Sequence, residues 1–277
     1  ANCGRYCGAD IDFVDIDPKS YNMSISALSD KLFKAEKLGK LPKILVPVHF
    51  GGQPCDMPAI QELSNRYGFK VIEDASHAIG ASYNQIKVGS CKHSDITVFS
   101  FHPVKIITTA EGGMALTNNK ELADKMFRLR AHGITNDKKR MKQRPENQIW
   151  NYQQIDLGFN YRMNDIQAAL GLNQIKRLDN YVERRHKIAK LYDEEFKNLS
   201  ITIPWQAPFA YSSYHLYPIT IKTDLNIKFQ KKIYDGLRNN NIAVNLHYIP
   251  VHRHPYYEKL GFKKNDFPVA EKFHQEV

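Results

Sequence analysis

One lysine stands where its amine could do chemistry. Lys105 lies in Ser100-Phe-His-Pro-Val-Lys-Ile-Ile-Thr-Thr-Ala-Glu-Gly-Gly113, with Val104, Ile106 and Ile107 beside it. Apolar surroundings make a lysine release its proton more readily, and the neutral amine is the form that attacks a carbonyl carbon. A solvated lysine in a strand-to-strand loop reads equally well from this stretch alone, because lysines are mostly exposed. A second stretch separates the two readings. Val71-Ile-Glu-Asp74-Ala-Ser-His77-Ala-Ile-Gly80 has the pattern of a buried strand that delivers an acid, then a histidine, at its carboxyl end. Open α/β sheets bind ligands outside the carboxyl ends of their strands. An amine for an aldehyde and a carboxylate for a pyridine nitrogen suit pyridoxal phosphate (PLP), whose protonated ring acts as an electron sink.

Strand and helix patterns alternate around these residues. Asp10 to Asp17 alternates apolar and acidic residues, as a half-buried strand does. A helix is expected over Ser24 to Lys37, with Ile25, Leu28, Leu32 and Phe33 on one face. Ile44 to Val48 reads as a strand, His49 to Pro54 as a turn, and Met57 to Tyr67 as a helix burying Ile60, Leu63 and Tyr67. Strands over Val71 to Glu73, Ile96 to Phe101 and Met114 to Thr117 follow, then a helix over Lys120 to Ala131. Met163 to Leu199 reads as mostly helical, broken near Asp179, with Met163, Ile166, Ala169, Leu170 and Ile175 as its apolar side. A strand over His215 to Ile221, a helix over Phe229 to Arg238 and a strand over Ile242 to Tyr248 complete the pattern. The alternation implies an α/β fold with a mostly parallel sheet flanked by helices. A large cofactor-binding domain is expected over 1–175, and connecting helices with a smaller C-terminal α/β domain over 176–277.

The two stretches, written EDASHAIGA and SFHPVKIITTAEGG, resemble the PLP-dependent sugar-nucleotide aminotransferases of the fold-type I superfamily. Their wording is most similar to the UDP-4-amino-4,6-dideoxy-N-acetyl-β-L-altrosamine transaminases of pseudaminic acid biosynthesis. The likeness continues through GFNYRMNDIQAALGLNQI to HYIPVHRHPYY and so covers nearly the whole chain. It implies Lys105 as the Schiff-base lysine and proton carrier, and Asp74 as the partner of the pyridine nitrogen. It puts His77 where many relatives carry glutamine beside the ring's phenolic oxygen, and Ser100 at a phosphate-contacting position. Asn160 matches an asparagine that reaches the phosphate from the neighbouring subunit, which implies a homodimer with shared sites. His247 and Tyr248 match positions near the sugar nucleotide. The implied reaction moves an amino group from L-glutamate to C4 of a UDP-linked 4-keto-6-deoxy-N-acetyl sugar. Relatives also carry, ahead of the point where this chain starts, a Gly-Thr turn that binds the cofactor phosphate and an aromatic residue that stacks on the pyridine. The chain therefore reads as N-terminally truncated, with its last helical segment cut short after Val277.

Other readings stay open. An aminotransferase for another nucleotide sugar, of the bacillosamine or perosamine type, fits the same motifs. A dehydratase of this fold is disfavoured because such relatives replace the lysine with histidine. A non-enzymatic basic binding protein fits the net charge of +10. The basic residues are dispersed, however, apart from Lys138-Lys139-Arg140-Met-Lys142-Gln-Arg144 before Pro145, a solvated loop or one that meets a diphosphate. No nucleic-acid partner is expected. No apolar run approaches the ~18 residues of a membrane span, and the N-terminus lacks a signal-peptide layout, so a cytoplasmic location is expected. Cys3, Cys7, Cys55 and Cys91 do not form a paired CxxC framework and read as free thiols. His215, His247, His252 and His254 lack a matching acid or cysteine set, so no metal site is expected. Tyr256 and Tyr257 read as packing residues.

Overall fold

The computed structural model describes residues 1–143, 148–221 and 227–277; Arg144 and Pro145, the end of the basic stretch, lie outside the described residues. After the short helix α1 (Asn2–Tyr6), residues 10–17 do not form the expected strand. They make one antiparallel bridge, Ile16 with Met23. Their aspartates take the backbone amides instead. Asp12 accepts from the Phe13 N–H, Asp15 from Ile16, and Asp17 from Lys19 and Ser20. Side-chain acceptors this close compete with a strand ladder.

Helix α2 (Ile25–Lys37) starts where the Ser24 hydroxyl accepts the Ala27 N–H. Leu28 and Leu32 are buried as expected, but Phe33 is exposed, with the Lys37 ammonium over its ring. Strand β1 (Ile44–Leu45) leads through a tight turn at Phe50–Gly52 to helix α3 (Met57–Tyr67). Asp56 caps α3, and Gly68 ends it in the left-handed conformation that glycine adopts freely. Strand β2 (Lys70–Asp74), the hairpin β3 (Ser82–Tyr83) and β4 (Ile86–Lys87), and strands β5 (Ile96–Ser100) and β6 (Gly113–Leu116) follow. The central sheet runs in the order β1-β2-β5-β6; β1, β2 and β5 are parallel, and β6 returns antiparallel to β5. Two apolar clusters support it. One joins Leu28, Leu32, Ile60, Phe69 and Val71; the other joins Ala75, Ala78, Phe99, Phe101, Ile107 and Val182.

Helix α4 (Lys120–Leu129), the pair β7 (Ile134–Thr135) and β8 (Gln153–Gln154), and helices α5 (Asp165–Ile175) and α6 (Leu178–Phe196) come next. The helical break falls at Lys176 and Arg177, just ahead of Asp179. Helix α5 is turned the other way from the expected one. Its inner stripe is Gln167, Gly171 and Gln174, while Ile166, Leu172 and Ile175 face outward and Ile166 is 84% exposed.

Strands β9 (Ile201–Thr202), β10 (Ala210–Tyr211) and β11 (Thr220–Ile221) are short; β10 extends the β3–β4 hairpin and β11 pairs with β9. The strand expected from His215 is thus confined to its last two residues. Helices α7 (Ile227–Asn239), α8 (Pro255–Glu258) and α9 (Pro268–Glu276) complete the chain. Residues 242–248 alternate like a strand but find no ladder partner among the described residues, and they stay irregular. Asp15 accepts the N–H groups of Val269 and Ala270, capping α9 from the far end of the chain. Tyr257 is buried as expected, whereas Tyr256 is exposed.

Candidate active site

Strands β2 and β5 run parallel and end at Asp74 and Ser100, so their carboxyl ends open on the same side. Asp74 is held at both ends of its peptide: its N–H donates to Pro47 O at 2.9 Å, and its carbonyl accepts the His49 N–H at 3.1 Å. Carboxylate atom Oδ1 accepts the Ser76 N–H, and Oδ2 accepts no hydrogen bond among the described residues. Among the described residues the Ser100 hydroxyl accepts only a long contact, 3.4 Å, from the His102 N–H.

Lys105 follows β5 on a turn in which its own N–H donates to His102 O. Ile106 and Ile107 anchor the turn in the core, but Val104, expected to shield the amine, is exposed. The inner stripe of α5 braces the loop beyond. Gln174 accepts the Thr108 N–H, Gln167 donates to Glu111 O, and a Cβ at Gly171 would come within 2.8 Å of Thr109. The Lys105 amine has no ion pair or hydrogen bond among the described residues. Burial lowers its pKa, and the Asp74 carboxylate opposes that shift.

His77 is joined to this pair. Its Nδ1 accepts the Gly51 N–H at 3.3 Å, and its carbonyl accepts the Ser213 hydroxyl at 2.7 Å. Burial pushes the imidazole down to about 4; Lys105 pushes the same way and Asp74 opposes. His215 lies against it, with ring centres 4.4 Å apart. Burial, helped by His77 and Lys105, brings His215 to about 3, and its Nδ1 is buried with no partner among the described residues. His247 is close enough to both rings to lower them. Its own ring is 4.4 Å from that of Tyr248, which in turn meets Phe50.

The structure therefore gathers Asp74, His77, Lys105 and His247, with Ser100 at the adjoining strand end and Tyr248 beside His247. It adds His215, which its sequence context alone grouped with the other histidines. Those histidines divide: His252 is buried elsewhere and bonded to Glu271 at 2.8 Å. Asn160 is exposed, its backbone bridged to Ala131, and its side chain makes no hydrogen bond to the gathered residues among those described. In the basic stretch, Arg140 pairs with Asp124 and Asp137, and Lys138 and Lys139 are exposed. No helix among the described residues is long and apolar enough to cross a membrane.

A weakly held amine, a carboxylate and neutral imidazoles at strand ends form a site able to capture a carbonyl and move a proton. The chain is 38% identical over 262 residues to the UDP-4-amino-4,6-dideoxy-N-acetyl-beta-L-altrosamine transaminase of Campylobacter jejuni, covering 94% of this chain and 65% of that protein. Its backbone matches Helicobacter pylori PseC, an aminotransferase involved in the biosynthesis of pseudoaminic acid, with a TM-score of 0.85 and 32% identity, over 100% of this chain and 69% of that one. It also matches the putative sugar aminotransferase Spr1654 of Streptococcus pneumoniae in its PMP form, with a TM-score of 0.87 and 27% identity, over 100% and 72% of the two chains. The chain spans 65% of the length of the first curated relatives it matches. The DegT/DnrJ/EryC1/StrS aminotransferase family matches residues 1–277 throughout, and this chain belongs to that family.

Proposed function

We propose that this chain carries the active site of a PLP-dependent transaminase that moves an amino group from L-glutamate to C4 of a UDP-linked 4-keto-6-deoxy-N-acetylhexose, within pseudaminic acid biosynthesis. The observation that carries the chemistry is the Lys105 amine, partly buried and unpartnered among the described residues, beside a carboxylate whose Oδ2 makes no hydrogen bond among those residues. The residues suit the cofactor in a second respect: the buried Nδ1 of His215 lacks a partner among the described residues, and such an atom calls for a ligand or a water. When bound, PLP supplies an electron sink for the carbon that loses a proton. Lys105 would hold the cofactor through its aldehyde, and its neutral amine would carry the proton for the carbon that loses one. Asp74 holds the ring nitrogen protonated through its open oxygen. His77 donates to the ring oxygen, and Ser100 donates to the phosphate.

Asn160 serves the site of a second copy. Support comes from the outward apolar stripe of α5 and from Leu157 and Tyr161, which flank Asn160 at 89% and 73% exposure. Apolar surface concentrated in this way marks a protein interface. His247 and Tyr248, on the His77 side, are assigned to the sugar nucleotide. The altrosamine transaminase and PseC matches favour the UDP-linked substrate. The test is a product assay with L-glutamate on UDP-, dTDP- and GDP-linked 4-keto sugars. Amination of the UDP N-acetyl sugar is expected; preferential amination of a dTDP or GDP sugar contradicts the substrate assignment.

A further inference from the structure

The turn before α3 is fixed more firmly than a surface connection needs to be. Asn22 is buried and spans it: Oδ1 accepts the Phe50 N–H at 2.8 Å, and Nδ2 donates to Gln53 O at 2.9 Å. His49 is wholly buried at its entrance. Its Nε2 bonds to Glu73 at 2.8 Å, and its Nδ1 accepts the Cys55 N–H at 3.1 Å. Gly52 has a φ of 105°, and a Cβ there would fall 2.4 Å from the Ser213 hydroxyl, the group that donates to His77 O. Gly51 and Gly52 also accept the N–H groups of Leu216 and Ser213. This construction brings the Phe50 ring against His77 and Tyr248 and aims the Gly51 N–H at His77 Nδ1.

A backbone N–H pointed at a ring nitrogen requires a lone pair there, and in a neutral imidazole the proton then sits on the other nitrogen. We propose that the His49–Gln53 turn is a tautomer lock for His77, so that Nε2–H is the donor offered to the oxygen of a ligand held at Lys105. Nε2 makes no hydrogen bond among the described residues, so it is free for that purpose. The charged groups around the ring are Lys105 and Asp74, with His215 and His247 as titratable neighbours. Asn22 and His49 act here through Gly51 as positioning residues. The inference rests on the reading of the site as a PLP site, whose ring oxygen is the acceptor.

The lock is tested on the ligand-free protein by 15N NMR of labelled histidines, with His77 assigned from the signals lost in His77→Gln. His77 should show an unprotonated Nδ1 and a protonated Nε2. Asn22→Ala, which removes both bonds from the turn without touching the site, should mix the tautomers and bring the two nitrogen shifts together. If that variant melts, Asn22→Asp removes only the donation to Gln53 and should give the same change in weaker form. A protonated Nδ1 in the wild type, or a folded turn variant with an unchanged His77 spectrum, overturns the proposal. A second arm measures equilibrium binding of PLP. Glutamine sets its amide nitrogen near the place of Nε2, and asparagine sets it near Nδ1. His77→Gln should stay within about 3-fold of wild type and His77→Asn should weaken binding on the order of 10-fold, the worth of one hydrogen bond. Equal losses in both overturn the choice of Nε2. A wild-type protein that binds no PLP contradicts the reading of the site, while the spectra still decide the lock.

Discussion

Replacing Glu73 tests the buried scaffold behind Asp74. Glu73 is 5% exposed, and its carboxylate accepts from His49 Nε2–H at 2.8 Å, from the Thr97 hydroxyl at 3.0 Å and from the Ser94 hydroxyl. Burial disfavours a charged His49 ring and Glu73 favours it. The Cys55 N–H aimed at Nδ1 needs a lone pair there, which holds the ring neutral with its proton on Nε2. Glu73→Ala strands that proton and both hydroxyls in the core, for a loss of about 4 kcal/mol. Glu73→Gln keeps the shape. Its amide oxygen can face His49 while its NH2 group donates to hydroxyls that rotate to accept, so only the charge assistance is lost, about 1 kcal/mol. Urea unfolding of the three proteins at pH 7 reads these differences. The sign with pH follows from Glu73, whose folded pKa lies below the usual value of 4.5 because His49, Ser94 and Thr97 outweigh its burial. Its contribution is complete above the unfolded pKa and disappears as pH falls through the folded one. The gap between wild type and Glu73→Gln should therefore narrow below about pH 4.5. Two variants equal within about 0.5 kcal/mol at pH 7, or a gap that widens in acid, would refute the argument.

Asp74→Asn should fold normally yet slow proton removal from glutamate by orders of magnitude in single-turnover kinetics, because an amide cannot hold the ring nitrogen protonated; an unchanged rate removes Asp74 from that role. Mixing a Lys105→Ala chain with an Asn160→Ala chain should restore activity, since one site of each mixed dimer keeps both residues, and mass-verified mixed dimers without activity mean that the phosphate site is built within one chain. Asp15→Ala, which uncaps α9, should cost about 1–2 kcal/mol of stability by thermal or urea unfolding, and no change would mean that the contact is incidental.

The parts legible from sequence were those written locally. Helix α3 was bounded as expected because Asp56 and Gly68 cap it and Ile60 and Tyr67 repeat at helical spacing. Strand β2 was visible because Val71-Ile-Glu-Asp74 carries the pattern of a buried strand that ends in an acid. Residues 10–17 misled because alternation marks a strand only while the polar partners leave the backbone alone, and these aspartates do not. The apolar residues of α5 were visible but not their direction, which is set by the lysine loop that Gln167 and Gln174 brace. His215 was missed as a site residue because its place depends on residues 212–216 docking on the Gly51–Gly52 turn; the Ser213–His77 bond in that contact joins positions 136 apart, beyond the reach of any local pattern.

Capture of PLP falls to the Lys105 amine. The direct measurement is borohydride reduction of the protein incubated with PLP, followed by peptide mapping. It should leave a pyridoxyl label on Lys105 and none after Lys105→Arg, which keeps the charge without the chemistry. A label on another lysine, or one that survives Lys105→Arg, would contradict it.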